Sequence, residues 1–140
     1  MSDLAAERLA LRVSVREGVD VAMARQRARE LARRLGWPAS AVEALATAVS
    51  EVAHNIVAHA EAGEVLLDVV TNDRGLAGVV VVARDRGPGI PDVELAMQDG
   101  YSTAGGLGLG LPSARRLVDE FELVGGAGRG ATVIMRKWPG

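Results

Sequence analysis

Cysteine is absent from the 140-residue chain, and lysine occurs once, at Lys137. The first absence excludes disulfide scaffolds, thiol nucleophiles and cysteine-ligated metals. It also fits a reducing compartment. The second excludes any mechanism that needs a lysine in the middle of the fold, such as the P-loop phosphate lysine or the strand lysine of eukaryotic-type protein kinases. Aromatic residues make up 3% (Trp37, Tyr101, Phe121 and Trp138), too few for base-stacking platforms. Net charge is -2, whereas a phosphate-backbone binder is usually basic, so no nucleic-acid partner is expected. No apolar run approaches the ~20 residues of a membrane span. Met1–Ala10 also lacks the basic-then-apolar order of a signal peptide. Both observations point to a cytoplasmic protein with no membrane partner.

What is present reads as one globular domain spanning 1–140, with 49% hydrophobic and 24% charged residues. Glycine is in excess at 17 residues, and twelve of these follow Asp85. Leu9–Val15 alternates apolar and polar residues, the period of a strand with one buried face. Val21, Ala24, Ala28, Leu31 and Leu35 recur at helical spacing with arginines between them, and Gly36 and Pro38 stop that helix. Ser40 and Glu43 have capping-box spacing at the start of a second helix, which is predicted to end near Ala60–Gly63. Strands are expected over Gly63–Thr71 and Gly78–Ala83, joined by a turn at Asn72–Gly75. A short helix over Asp92–Gln98 follows a Gly-Pro loop. A further helix is read over Leu107–Glu120, with Pro112 tolerable only in its first turn. Strands at Phe121–Val124 and Ala131–Trp138 close the chain. The order predicts an α/β (α+β) two-layer sandwich: a mixed, mostly antiparallel sheet with helices on one face.

Three segments place polar or flexible residues where the pattern wants neither. Glu51 and Asn55 lie four apart on the apolar second helix, so they share a face. A carboxylate there can accept a proton from a hydroxyl, and an amide oxygen is a hard ligand suited to Mg²⁺. The bland alternative is a polar pair at the edge of the stripe. Glu51-x-x-His54 also has the spacing of half a di-iron motif, but the second copy that motif requires is missing. Asp85 opens Asp85-x-Gly87-x-Gly89, where a carboxylate can accept from an exocyclic amine and glycines let backbone approach a flat ring. A plain Asp-Gly-Pro turn reads the same way. Gly105-Gly106-Leu107-Gly108-Leu109-Gly110 precedes a helix, the setting of an anion-binding nest, with a flexible hinge as the alternative.

Together these segments resemble the ATP site of the GHKL superfamily, which includes gyrase, Hsp90, histidine-kinase and MutL-type ATPases and has the Bergerat fold. Glu51-x-x-x-Asn55 is similar to its N box, Asp85-x-Gly87-x-Gly89 to its G1 box, and Gly106-x-Gly108-x-Gly110 to its G2 box. Gly130-Ala131-Thr132 stands where that superfamily carries a Gly-Thr pair, with an alanine intervening. The closer resemblance, from about Val13 to Trp138, is to the RsbT-type serine/threonine kinases of bacterial partner-switching modules. It includes Asp99-Gly100-Tyr101-Ser102-Thr103 and Asp119-Glu120-Phe121.

The resemblance implies ATP and Mg²⁺ as cofactors, a STAS-domain protein of a stressosome as substrate, and a PP2C-type phosphatase as a second partner. It implies Glu51 as the base polarising the acceptor hydroxyl and Asn55 as the Mg²⁺ ligand. Asp85 with Thr132 would read adenine, while Gly87, Gly89 and Ile90 line the nucleotide pocket. Ser102, Thr103, Gly105, Gly106, Leu107, Gly108, Leu109 and Gly110 would form a short lid over the phosphates. The rival readings are an RsbW-type anti-sigma factor kinase, a detached histidine-kinase catalytic domain, and a non-catalytic ATP-binding switch module. The compact, uncharged Ser102–Gly106 segment disfavours the first, and the lack of room for a dimerisation helix disfavours the second.

Overall fold

The computed structural model describes residues 11–60, 62–85, 111–125 and 130–139. Five strands form one sheet in the order β1-β2-β3-β5-β4, and every described pairing is antiparallel. They are β1 (Leu11–Val15), β2 (Gly63–Thr71), β3 (Ala77–Asp85), β4 (Glu120–Gly125) and β5 (Ala131–Lys137). Three helices, α1 (Gly18–Arg34), α2 (Ala39–His59) and α3 (Leu111–Leu117), complete the described elements. The expected two-layer α/β architecture is therefore present.

α2 is the spine of the core. Leu45, Val49 and Val52 on it are essentially inaccessible, and they meet Val65 and Leu67 of β2, Val79 and Val81 of β3 and Met135 of β5. Each such side chain contributes about 1.5–3 kcal/mol on leaving water. α1 and α3 pack along the two sides of α2. α1 can come close because its inward face is small: Ala24, Ala28 and Ala32 are buried beside Leu31.

Local chemistry sets the helix ends. α1 starts where Asp20 Oδ2 accepts the N–H groups of Arg16 (2.9 Å) and Glu17 (3.1 Å), a carboxylate at the positive end of the helix dipole. It stops at Gly36, whose φ of +78° suits glycine, with the Trp37 N–H returning to Ala32 O at 3.2 Å. The capping box expected at Ser40–Glu43 does not form. α2 is capped by the backbone of Pro38, two residues before Ser40, and Glu43 instead binds the guanidinium of Arg29 through two 2.9 Å bonds.

α3 ends at Leu117, short of the expected Glu120. The reason lies in the sheet: the Asp119 N–H donates to Arg136 O at 3.0 Å, and Asp119 Oδ2 accepts the Trp138 N–H at 2.8 Å. These bonds pull the chain into register, so Glu120 opens β4. Pro112 stands at the second residue of the described helix. The expected helix over Asp92–Gln98 lies outside the described residues.

Both tryptophans sit at the start of β3. The Trp37 indole N–H donates to Ala77 O at 3.2 Å. Trp138 lies against Gly78, where an added Cβ would come within 2.8 Å of Cδ1. Asp85 is at the other end of the same strand.

Candidate functional site

Alternation along β3 and β5 decides which residues can meet. Val79, Val81 and Ala83 are buried beneath the helices, and Asp85 continues that face. Its Oδ1 accepts the Ala131 N–H at 3.0 Å across the sheet. Asp85 is thus a fixed carboxylate at a strand end on the helix-covered side.

Two glycines hold Asp85 from either side. Gly63 pairs with it across β2, and an added Cβ there would clash with Arg84 O, meet Ile56 Cγ2 at 2.8 Å and approach Asp85 Cα to 3.1 Å. Gly130 precedes β5 with φ +75°, and an added Cβ would lie 2.5 Å from Asp85 O. The contacts at Gly63 also locate α2. Its C-terminal turns, which carry Asn55 and Ile56, come over the strand end that carries Asp85.

Asn55 is the one polar side chain among the described residues that is buried, at 7% exposure. An amide at so closed a position needs a polar partner, and its oxygen is a hard donor of the kind a cation can take. One turn earlier, Glu51 is half-buried and faces a groove of about 730 Å³ between α1 and α2. Ser50 and His54 line the same groove, and the Ser50 hydroxyl is tied to Thr47 O at 2.9 Å. Helical spacing therefore stacks the two on one face of α2, with the Glu51 carboxylate at the groove and the Asn55 amide buried one turn later.

The register separates Thr132 from Asp85. Thr132 pairs with Arg84 and projects from the outer sheet face, while Ala131 is buried next to Asp85. The sheet pleat thus sends the Asp85 and Thr132 side chains to opposite faces. Gly87, Gly89, Ile90, Ser102, Thr103, Gly105, Gly106, Leu107, Gly108, Leu109 and Gly110 lie outside the described residues. Among the described residues, no three His, Asp or Glu side chains converge as a metal cluster. No helix there is long and apolar enough to cross a membrane.

Sequence reasoning did not single out Gly63 or the Arg25 and Arg29 side of the groove. An isolated glycine at a strand start marks close backbone approach and was a usable signal. The arginines read only as a solvated helix face.

Residues 14–137 match the family described as the histidine kinase-like ATPase domain. The chain is also 44% identical over 119 residues to serine/threonine-protein kinase RsbT of Bacillus subtilis (strain 168), covering 85% of this chain and 89% of that protein. The buried asparagine and the anchored strand-end aspartate thus stand in a histidine kinase-like ATPase domain, and within that family the chain belongs with the RsbT-type serine/threonine-protein kinases.

Proposed function

We propose that the chain transfers the γ-phosphoryl group of ATP to a serine or threonine of a STAS-domain stressosome protein, and that it then engages a PP2C-type phosphatase as a partner switch. The observation that carries this reading is the placement of Glu51 and Asn55 one turn apart on α2, the first facing a groove and the second buried. The similarity to RsbT supports it over an anti-sigma factor role.

In this reading Glu51 takes the proton of the acceptor hydroxyl, which sharpens the oxygen as a nucleophile. Asp85 accepts from the adenine amine, held in place by the Ala131 N–H. Asn55 fits Mg²⁺, a hard cation that keeps several waters and takes few protein ligands. When bound, that ion offsets charge on the phosphate oxygens. Gly87, Gly89 and Ile90 border the base, and backbone N–H groups of the Ser102–Gly110 segment cradle the phosphates. No lysine is needed: positioning and fixed dipoles carry the chemistry.

The test is phosphate transfer from labelled ATP to a STAS-domain protein, comparing the native chain with Glu51→Ala. Transfer by the native chain and its loss in the variant, with nucleotide still bound, is the expected result. Equal transfer by both removes Glu51 from the mechanism.

A further inference from the structure

The groove beside Glu51 has a character that the transfer chemistry does not require. Its α1 wall presents Arg25 and Arg29, and its α2 wall presents Ser50, Glu51 and His54. Arg29 is committed to Glu43 by its two 2.9 Å bonds. Arg25 is exposed, and its charge acts on Glu43 only at longer range than that of Arg29. α1 carries five arginines against Asp20 and Glu30, although the whole chain has a net charge of -2. Positive charge is therefore gathered on the helix that walls the approach to Glu51.

An apolar pair flanks the same wall. Val19 is 67% exposed and Met23 44%, one turn apart on α1. Helical spacing puts them at the outer rim, next to Ala22 and Gln26, which line the groove. Exposed apolar side chains next to a charged groove are the composition of a protein interface, in which an apolar anchor is joined by charges that set orientation.

We infer that this groove seats the acceptor segment of the protein substrate, and that the segment presents an acidic side chain to Arg25 and an apolar one to Val19 and Met23. The inference rests on the kinase reading of Glu51. A hydroxyl that reaches Glu51 brings its flanking residues past Arg25 and His54. An acidic neighbour is attracted there, and a basic one is repelled.

The probes are fluorescently labelled peptides with a central serine, flanked by aspartate and leucine, by lysine and leucine, or by aspartate and serine. Binding to the full chain is read by fluorescence polarisation with Mg²⁺ and a non-hydrolysable ATP analogue. The aspartate–leucine peptide is expected to bind on the order of tenfold more tightly than the lysine–leucine one. Arg25→Glu should abolish that difference, Arg25→Lys should keep most of it, and a Val19→Ser, Met23→Ser double variant should remove the advantage of leucine. Nucleotide affinity should be unchanged in all three. An acid preference that survives Arg25→Glu, or equal or absent binding of all peptides, overturns the proposal. Arg25-dependent binding without phosphoryl transfer would uphold the docking surface and overturn the kinase reading instead.

Discussion

The Asp85 carboxylate is anchored by the backbone of Ala131, its Oδ1 accepting that N–H at 3.0 Å. This bond fixes the carboxylate at the end of β3, so the proposed recognition of a base there would not need to order it. It also separates two roles that one substitution can tell apart. In Asp85→Asn the amide oxygen can still accept from Ala131, but an amide NH2 donor replaces the other acceptor oxygen. Thermal stability should change little, while ATP binding weakens by about 1–3 kcal/mol. Calorimetry and thermal melts of the same variant check both halves; unchanged affinity would remove Asp85 from base recognition.

Gly130→Ala strikes the same residue through the backbone. The position has φ +75° and no room for a Cβ against Asp85 O. A destabilisation of about 1–3 kcal/mol is expected from the conformation alone. Displacing Asp85 should also weaken nucleotide binding, whereas Gly75→Ala, at φ +80° in open space, should cost stability without affecting affinity. Urea titration with and without ATP distinguishes the two glycines.

The Arg29–Glu43 bridge predicts a pH dependence. The Arg29 hydrogen bonds, aided by its charge, hold the Glu43 carboxyl below its ordinary range. The unfolded chain therefore takes up a proton there first as pH falls. The bridge's stabilisation is present at neutral pH and is lost as pH drops through the folded value. Glu43→Gln should lie slightly below the native chain near neutrality and converge with it in acid. The gap should be small because the pair is exposed. Melting curves across pH 3–7 provide the measurement, and a gap that widens in acid would contradict the assignment.

The two indoles should respond differently to replacement. Trp37→Phe removes a hydrogen bond to Ala77 O and leaves that acceptor without its indole partner, a loss of about 1–2 kcal/mol beyond packing. The buried Trp138 Nε1 has no partner to lose. Trp138→Phe should therefore lack that polar component, as chemical denaturation of the two variants can show.

Much of the architecture could be read from period alone. The unbroken aliphatic stripe of α2 made Glu51 and Asn55 conspicuous, because polar groups on such a face need a reason. The strands before Asp85 were legible for the same cause. Register was not. Whether Ala131 or Thr132 faces Asp85 depends on a one-residue parity fixed by the pairing with β3, and Gly-Ala-Thr contains nothing local that sets it. Glu43 carried a capping signal with sound local logic, yet Arg29, fourteen residues earlier, supplied a stronger partner. Glu120 continued a helical pattern until the bonds of Asp119 to the far end of β5 claimed the chain. In each case a contact distant in sequence outweighed a neighbouring one.

The positions of Trp37 and Trp138 have an optical consequence. Both lie at the Ala77–Gly78 end of β3, and eight residue steps at ~3.3 Å place Asp85 about 26 Å away along the strand. These are the chain's two tryptophans. Emission excited selectively at tryptophan therefore reports on one sheet terminus, far from the other. Tryptophan fluorescence is thus a poor reporter for the proposed nucleotide site, and a probe placed near Asp85 would serve better.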